Sequence, residues 1–95
     1  MKPTFECDEK KAKENLRDHQ VDFDEAETVF DDALSISISD PDHSEDEERF
    51  IDIGESDRGR ILVISYTERG RNIRLISARL ASRAERRKYE EEDFD

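Results

Sequence analysis

Tryptophan is absent from this 95-residue chain, and there are only one cysteine, two histidines, two prolines and three glycines. Each shortage excludes something. A lone Cys7 allows neither an internal disulfide nor a cysteine-based zinc site. His19 and His43 stand 24 residues apart, which is no zinc signature. Neither a Gly-rich nucleotide-binding loop nor an HExxH pair occurs, and no Ser-His-Asp order stands out. No run approaches the 18 apolar residues of a membrane span, and "MKPTFECDEKKAKEN" lacks the apolar stretch of a secretory signal. A cytoplasmic chain with no membrane partner is expected.

What the chain has in abundance is charge, unevenly divided. Residues 1–57 carry 6 Lys/Arg against 20 Asp/Glu, residues 58–89 carry 10 against 2, and residues 90–95 carry none against 5. The segments thus hold −14, +8 and −5, giving the net −11. Overall acidity argues against indiscriminate binding to nucleic acid or membrane. Screening over about 8–10 Å still permits a local basic face. Leu, Ile, Val and Phe number 21 of 95, just above the roughly 20% below which charged chains stay disordered. One small domain over 1–95 is expected, with 91–95 a frayed acidic tail.

Periodicity orders the chain. In 8–20, Asp8 can cap a helix whose Ala12, Leu16 and His19 recur at helical spacing. In 22–32, Asp22 or Asp24 can cap a second, with Ala26, Val29 and Phe30 inward. Alternation follows in "LSISIS" (34–39), with Leu34, Ile36 and Ile38 on one face, and in "FIDIG" (50–54). "RILVISYT" (60–67) is apolar on both faces, which suits a central strand. Across Gly70, "NIRLISA" (72–78) completes a hairpin. Ser82 and Glu85 have capping-box spacing at the head of a last helix over 82–93. The expected fold is α+β: a small antiparallel four-stranded sheet, two N-terminal helices and one C-terminal helix, with the helices on one side.

Two stretches could carry chemistry. The basic third is almost all arginine, and guanidinium groups suit bidentate contacts to phosphate oxygens. Strict alternation puts Arg74 on a face with Ile76 and Ala78, and Arg79 at the strand's exit. Arg60 opens the neighbouring strand, Arg69 and Arg71 border the hairpin, and Arg83, Arg86 and Arg87 lie on the last helix. The plainer reading is that these arginines neutralise the acidic remainder through surface ion pairs. The second stretch is the loop "DPDHSEDEER" (40–49). Asp40, Asp42 and Ser44 imitate alternate calcium ligands, but the sixth position lacks Gly and Ile51 replaces the bidentate Glu. A solvated acidic loop is one reading; proton transfer by His43 or by a Glu beside an Arg is the other. Together the stretches fit RNA cleavage through the substrate's own 2′-hydroxyl, with arginines stabilising charge on phosphorus.

Four stretches, "FECDEKKAKENLRDHQVDFDEAETVFDD", "DPDHSEDEERFIDIGES", "GRILVISYTERG" and "IRLISARLASRAERRKYE", run from Phe5 to Glu90. They resemble the BrnT family of toxins from bacterial type II toxin–antitoxin systems. The resemblance implies a RelE-like fold and a growth-arresting ribonuclease without cofactor or metal. It implies a BrnA-like antitoxin with a ribbon-helix-helix part, so that operator DNA is met only through the antitoxin. On matching positions it implies Arg74 and Arg79 as phosphate and transition-state ligands with Arg60 assisting, and Glu48 or His43 for proton transfer. Arg69 and Arg86, also on matching positions, would contact RNA together with Arg71 and Arg83 of the same basic third, and Tyr66 and Tyr89 could stack on a base or serve as core tyrosines. Cys7, Gln20 and Ala33 stand where the family usually has Trp, Gly and Pro. The alternative is a catalytically inactive RNA- or antitoxin-binding module acting in operon autoregulation.

Overall fold

Asp8 starts the first helix as its spacing predicts. Its carboxylate accepts from the backbone N–H of Lys10 (2.8 Å) and Lys11 (3.4 Å), two donors that the first turn leaves unpaired. The structure is a computed structural model that describes residues 4–40 and 48–92. The elements run β1 (Thr4–Glu6), α1 (Glu9–His19), α2 (Phe23–Thr28) with a 3-10 turn (Val29–Asp31), then β2 (Ile36–Asp40) and β3 (Arg49–Glu55). β4 (Ile61–Arg69), β5 (Asn72–Leu80) and α3 (Arg83–Glu92) complete the order. Asp22 caps α2 by accepting from Glu25 N–H at 2.7 Å. No described helix is long and apolar enough to cross a membrane.

The sheet has five strands in the order β1-β5-β4-β3-β2, which corrects the four-stranded expectation. β2 to β5 form the antiparallel meander, while β1 lies parallel to β5, pairing Phe5 with Ile73. Three residues are too few to show a period, so β1 left no signal in the sequence. β4 takes the centre, and Leu62, Val63 and Ile64 are buried as its two-sided apolar pattern requires.

The helices do not share one side. Leu62, Ile64, Tyr66, Leu75 and Ala78 pack against Val21, Phe23, Ala26 and Val29 beneath α1 and α2. Ile53 and Val63 point to the other face and pack against Tyr89 of α3. α1 buries Asn15 rather than the expected Leu16 and His19, both of which face solvent. Asn15 Nδ2 donates to the carbonyls of Val21 and Ala78, both at 2.8 Å, and Oδ1 accepts from Ala78 N–H at 3.0 Å. One amide thereby satisfies three backbone groups, joining α1 to β5. Leu34 precedes β2 and is half exposed, so only Ile36 and Ile38 of the expected trio lie on the strand. At Gly54 any Cβ would stand 2.8 Å from Val29 and 2.9 Å from Ser35, so only glycine lets the 3-10 turn lie on β3.

Candidate nucleic-acid interface

The faces of the arginines follow from strand register. On β4, Val63, Ser65 and Thr67 alternate onto one face. Arg79 pairs with Val63, Ser77 with Ser65, and Arg74 with Thr67. Arg74 and Arg79 therefore share a face, although five residues apart they belong on opposite faces of a regular strand. The cause is a bulge: Ser65 pairs with Ser77 but Tyr66 pairs with Leu75, leaving Ile76 as the extra residue. Strict alternation had put Arg74 with Ala78; the bulge instead sends Ala78 to the core with Leu75 and turns Arg74 to the α3 side. Four residues of β4 separate the two arginine positions, about 13 Å.

On that face one row crosses all five strands: Asp40, Arg49, Thr67, Arg74 and Glu6 are successive partners. Arg49 and Arg74 are half-buried, whereas Thr67 is only 4% exposed. Among the described residues the Arg74 side chain makes no hydrogen bond or ion pair. Glu6, beside it, instead accepts from Asn72 Nδ2 at 2.8 Å. Glu48, exposed, immediately precedes Arg49. His43 lies outside the described residues.

Arg79 points its fork at Glu85, with Nη1–Oε1 at 2.8 Å and Nη2–Oε2 at 2.9 Å. Glu85 also closes the α3 capping box, accepting from Ser82 N–H at 2.8 Å while Ser82 Oγ accepts from Glu85 N–H at 3.2 Å. The Arg79 guanidinium, and after it the Ser82 bonds, outweigh burial and pull the Glu85 carboxyl down to about 2. Arg83, Arg86 and Arg87 follow on the outside of α3, where with Ala81 and Glu90 they line a concavity of about 320 Å³. Arg71 is exposed in the β4–β5 turn, where Gly70 takes φ 61°, and Arg69 ends β4.

Three candidates belong to the framework instead. Arg60 lies on the α2 side, beside buried Glu25. Its Nε donates to Glu25 Oε2 at 2.9 Å, its Nη2 donates to Oε1, and Nη2 also reaches the Gln20 carbonyl at 3.3 Å. Ser56 Oγ donates to the same carboxylate at 2.7 Å, and Arg58 approaches at 3.5 Å. The Arg60 contact, against the cost of burial, holds the Glu25 carboxyl below its ordinary range. Tyr66 is buried between Phe30 and Phe50, with centroids at 5.0 and 5.6 Å, and its hydroxyl donates to Asp52 Oδ1 at 2.9 Å. Burial, reinforced by Asp52, raises its phenol, and burial raises Asp52 as well. Tyr89 is 5% exposed and donates to Asp32 Oδ2 at 2.6 Å. Of the two readings open to these tyrosines, the core one holds: neither ring has a face free for a base.

Sequence reasoning missed Thr67 and Asn15. Only the full strand register could reveal Thr67; the signal for Asn15 was an amide one turn from Ala12 on the helix's inner stripe.

Comparison with known proteins places the chain. The model of the family described as "Ribonuclease toxin, BrnT, of type II toxin-antitoxin system" matches residues 7–85. The structure is similar to the crystal structure of the Brucella abortus ribonuclease toxin BrnT, with a TM-score of 0.60 and 26% sequence identity. That likeness covers 87% of this chain and 99% of the Brucella chain. No curated protein matches at a significant level.

Proposed function

The chain belongs to the BrnT family of ribonuclease toxins of type II toxin–antitoxin systems, and we propose that it is itself an active toxin. On this reading it is a metal-independent endoribonuclease, held in check by a BrnA-like antitoxin with a ribbon-helix-helix part. The observation that carries the proposal is the β5 bulge, which gives Arg74 and Arg79 a common face beside the arginines of α3. RNA carries its own nucleophile. The protein has to take the 2′-hydroxyl proton, stabilise added negative charge on phosphorus and protonate the departing 5′-oxygen. Arg74 grips the scissile phosphate, since its guanidinium is not committed elsewhere among the described residues. Preorganised charge of this kind commonly lowers the barrier more than any other effect in such catalysis. Glu48, exposed and next in sequence to Arg49 of the charged row, is the carboxylate assigned to take the proton. Arg79 joins only by exchanging Glu85 for phosphate. Arg60 acts from the opposite side as a positioning residue through Glu25.

The test is cleavage of a structured RNA by the purified chain in excess EDTA. Wild type is expected to leave 2′,3′-cyclic phosphate ends, and Arg74→Ala to lose at least about 100-fold in rate while melting as wild type does. Equal cleavage by the variant would move the site away from the β5 face. A second reading, an inactive RNA- or antitoxin-binding module, draws on the fact that Arg60 and Arg79 both already hold carboxylates. It predicts RNA bound and left intact.

A further inference from the structure

Thr67 has the one buried side-chain polar atom among the described residues that lacks a hydrogen-bond partner. A hydroxyl in that state costs the folded chain stability, and native structures keep few of them. Valine would fill the same space on a central strand at no such cost. Its setting suggests why a hydroxyl stands there. Arg49 and Arg74 flank it on the adjacent strands, each one strand spacing away, about 4.8 Å. Asp40 and Glu6 close the row at the two edge strands, so positive charge is confined to its centre. α3 covers this face at Ile53 and Val63, two rows away. Between them lie Ile51, Ser65 and Ser77, all half-exposed. The long, half-buried stem of Arg74 can turn its head to a ligand without moving the sheet, which uncovers the hydroxyl beside it.

We propose that Thr67, Arg49 and Arg74 form a subsite for one RNA backbone phosphate, with the Thr67 hydroxyl donating to a non-bridging oxygen. Resting on the toxin reading above, this adds a neutral donor to the arginines and says where on the sheet the phosphate sits. Two forked side chains rooted about 10 Å apart on the sheet, with a hydroxyl between them, fit a tetrahedral group having several acceptor oxygens. The acidic ends of the row disfavour a second phosphate alongside.

The experiment measures binding of a single-stranded, fully 2′-O-methylated oligoribonucleotide, which cannot be cut, by fluorescence anisotropy at low salt. Wild type, Thr67→Val, Thr67→Ser and Arg74→Ala are compared, each with its melting temperature. Thr67→Val is expected to bind about 10-fold more weakly, as loss of one bond to a charged group implies. It should melt no lower than wild type, and Thr67→Ser should bind within about twofold of wild type. The salt dependence should be unchanged in Thr67→Val and its slope shallower by about 0.7 in Arg74→Ala, which loses one phosphate-neutralising charge. Wild-type affinity in Thr67→Val beside weak binding in Arg74→Ala would overturn the subsite and leave the toxin reading standing. So would weak binding in Thr67→Val accompanied by a lower melting temperature, because the hydroxyl would then serve the fold. Failure of wild type to bind the oligonucleotide would overturn the RNA reading and the subsite together.

Discussion

Gln20 ends α1 in the left-handed region, at φ 58° and ψ 33°, with its N–H bonded to the Leu16 carbonyl at 2.9 Å. A side chain there crowds its own backbone, which costs about 1 kcal/mol relative to glycine. The conformation persists because the Gln20 carbonyl accepts from Arg60, whose other bonds go to buried Glu25. Gln20→Gly keeps that carbonyl and relieves the crowding, though glycine also frees the unfolded chain. A net gain of about 0.5–1 kcal/mol is expected, seen as a melting temperature about 2–8 °C higher with RNA binding unchanged. An unchanged or lower melting temperature would mean that the glutamine side chain contributes more than its backbone strain costs.

At the scale of elements, the N-terminus of α3 is the joint between fold and site. Glu85 serves both the capping box and Arg79, and its carboxyl titrates near 2 instead of at the ordinary 4.5. A carboxyl lowered by folding contributes stability that is fully present above its unfolded value and is lost as pH falls through the folded one. The gap corresponds to at most ~3.4 kcal/mol, which solvent screening at Arg79, 45% exposed, reduces to ~1–2. Glu85→Gln should therefore lose about 1–2 kcal/mol at pH 7 and show a flatter stability profile between pH 4.5 and 2, measured by urea unfolding. Glu25 and Asp32, both lowered, keep part of the acid dependence in the variant. The capping box, the caps at Asp8 and Asp22 and the central place of β4 were all legible, because each rests on neighbours in sequence or on a regular period. The β5 bulge was not. Ile76 is an ordinary strand residue with no glycine to mark it, and only pairing with β4 shows where the count slips. One uncounted residue reverses every face beyond it, so the sequence could nominate Arg74 and Arg79 without revealing that they share a side.

Across the whole molecule, the basic third divides into arginines that hold carboxylates and arginines that, among the described residues, hold none. Arg58 and Arg60 turn to Asp22 and Glu25 on the α2 side, and Arg79 turns to Glu85. These arginines neutralise acid within the fold. Arg74 on the sheet and Arg83, Arg86 and Arg87 on α3 make no side-chain hydrogen bond or ion pair among the described residues. All four lie on the α3 side, in a chain of net charge −11. Excess negative charge elsewhere repels a polyanion, so only an approach that brings phosphates to this side gains energy. The two groups should separate under mutation. Replacing Arg83 and Arg87 together by Ala is expected to leave the melting temperature within about 2 °C, because exposed, unpaired side chains contribute little. It should also make the salt dependence of single-stranded RNA binding shallower by about 1.4, the share of two phosphate contacts. Arg58→Ala should do the reverse, lowering stability by about 0.5–1 kcal/mol while leaving the salt slope as it was. If Arg58→Ala instead flattened the slope and the double variant did not, RNA would have to approach from the α2 side, and the division of the arginines by face would be wrong.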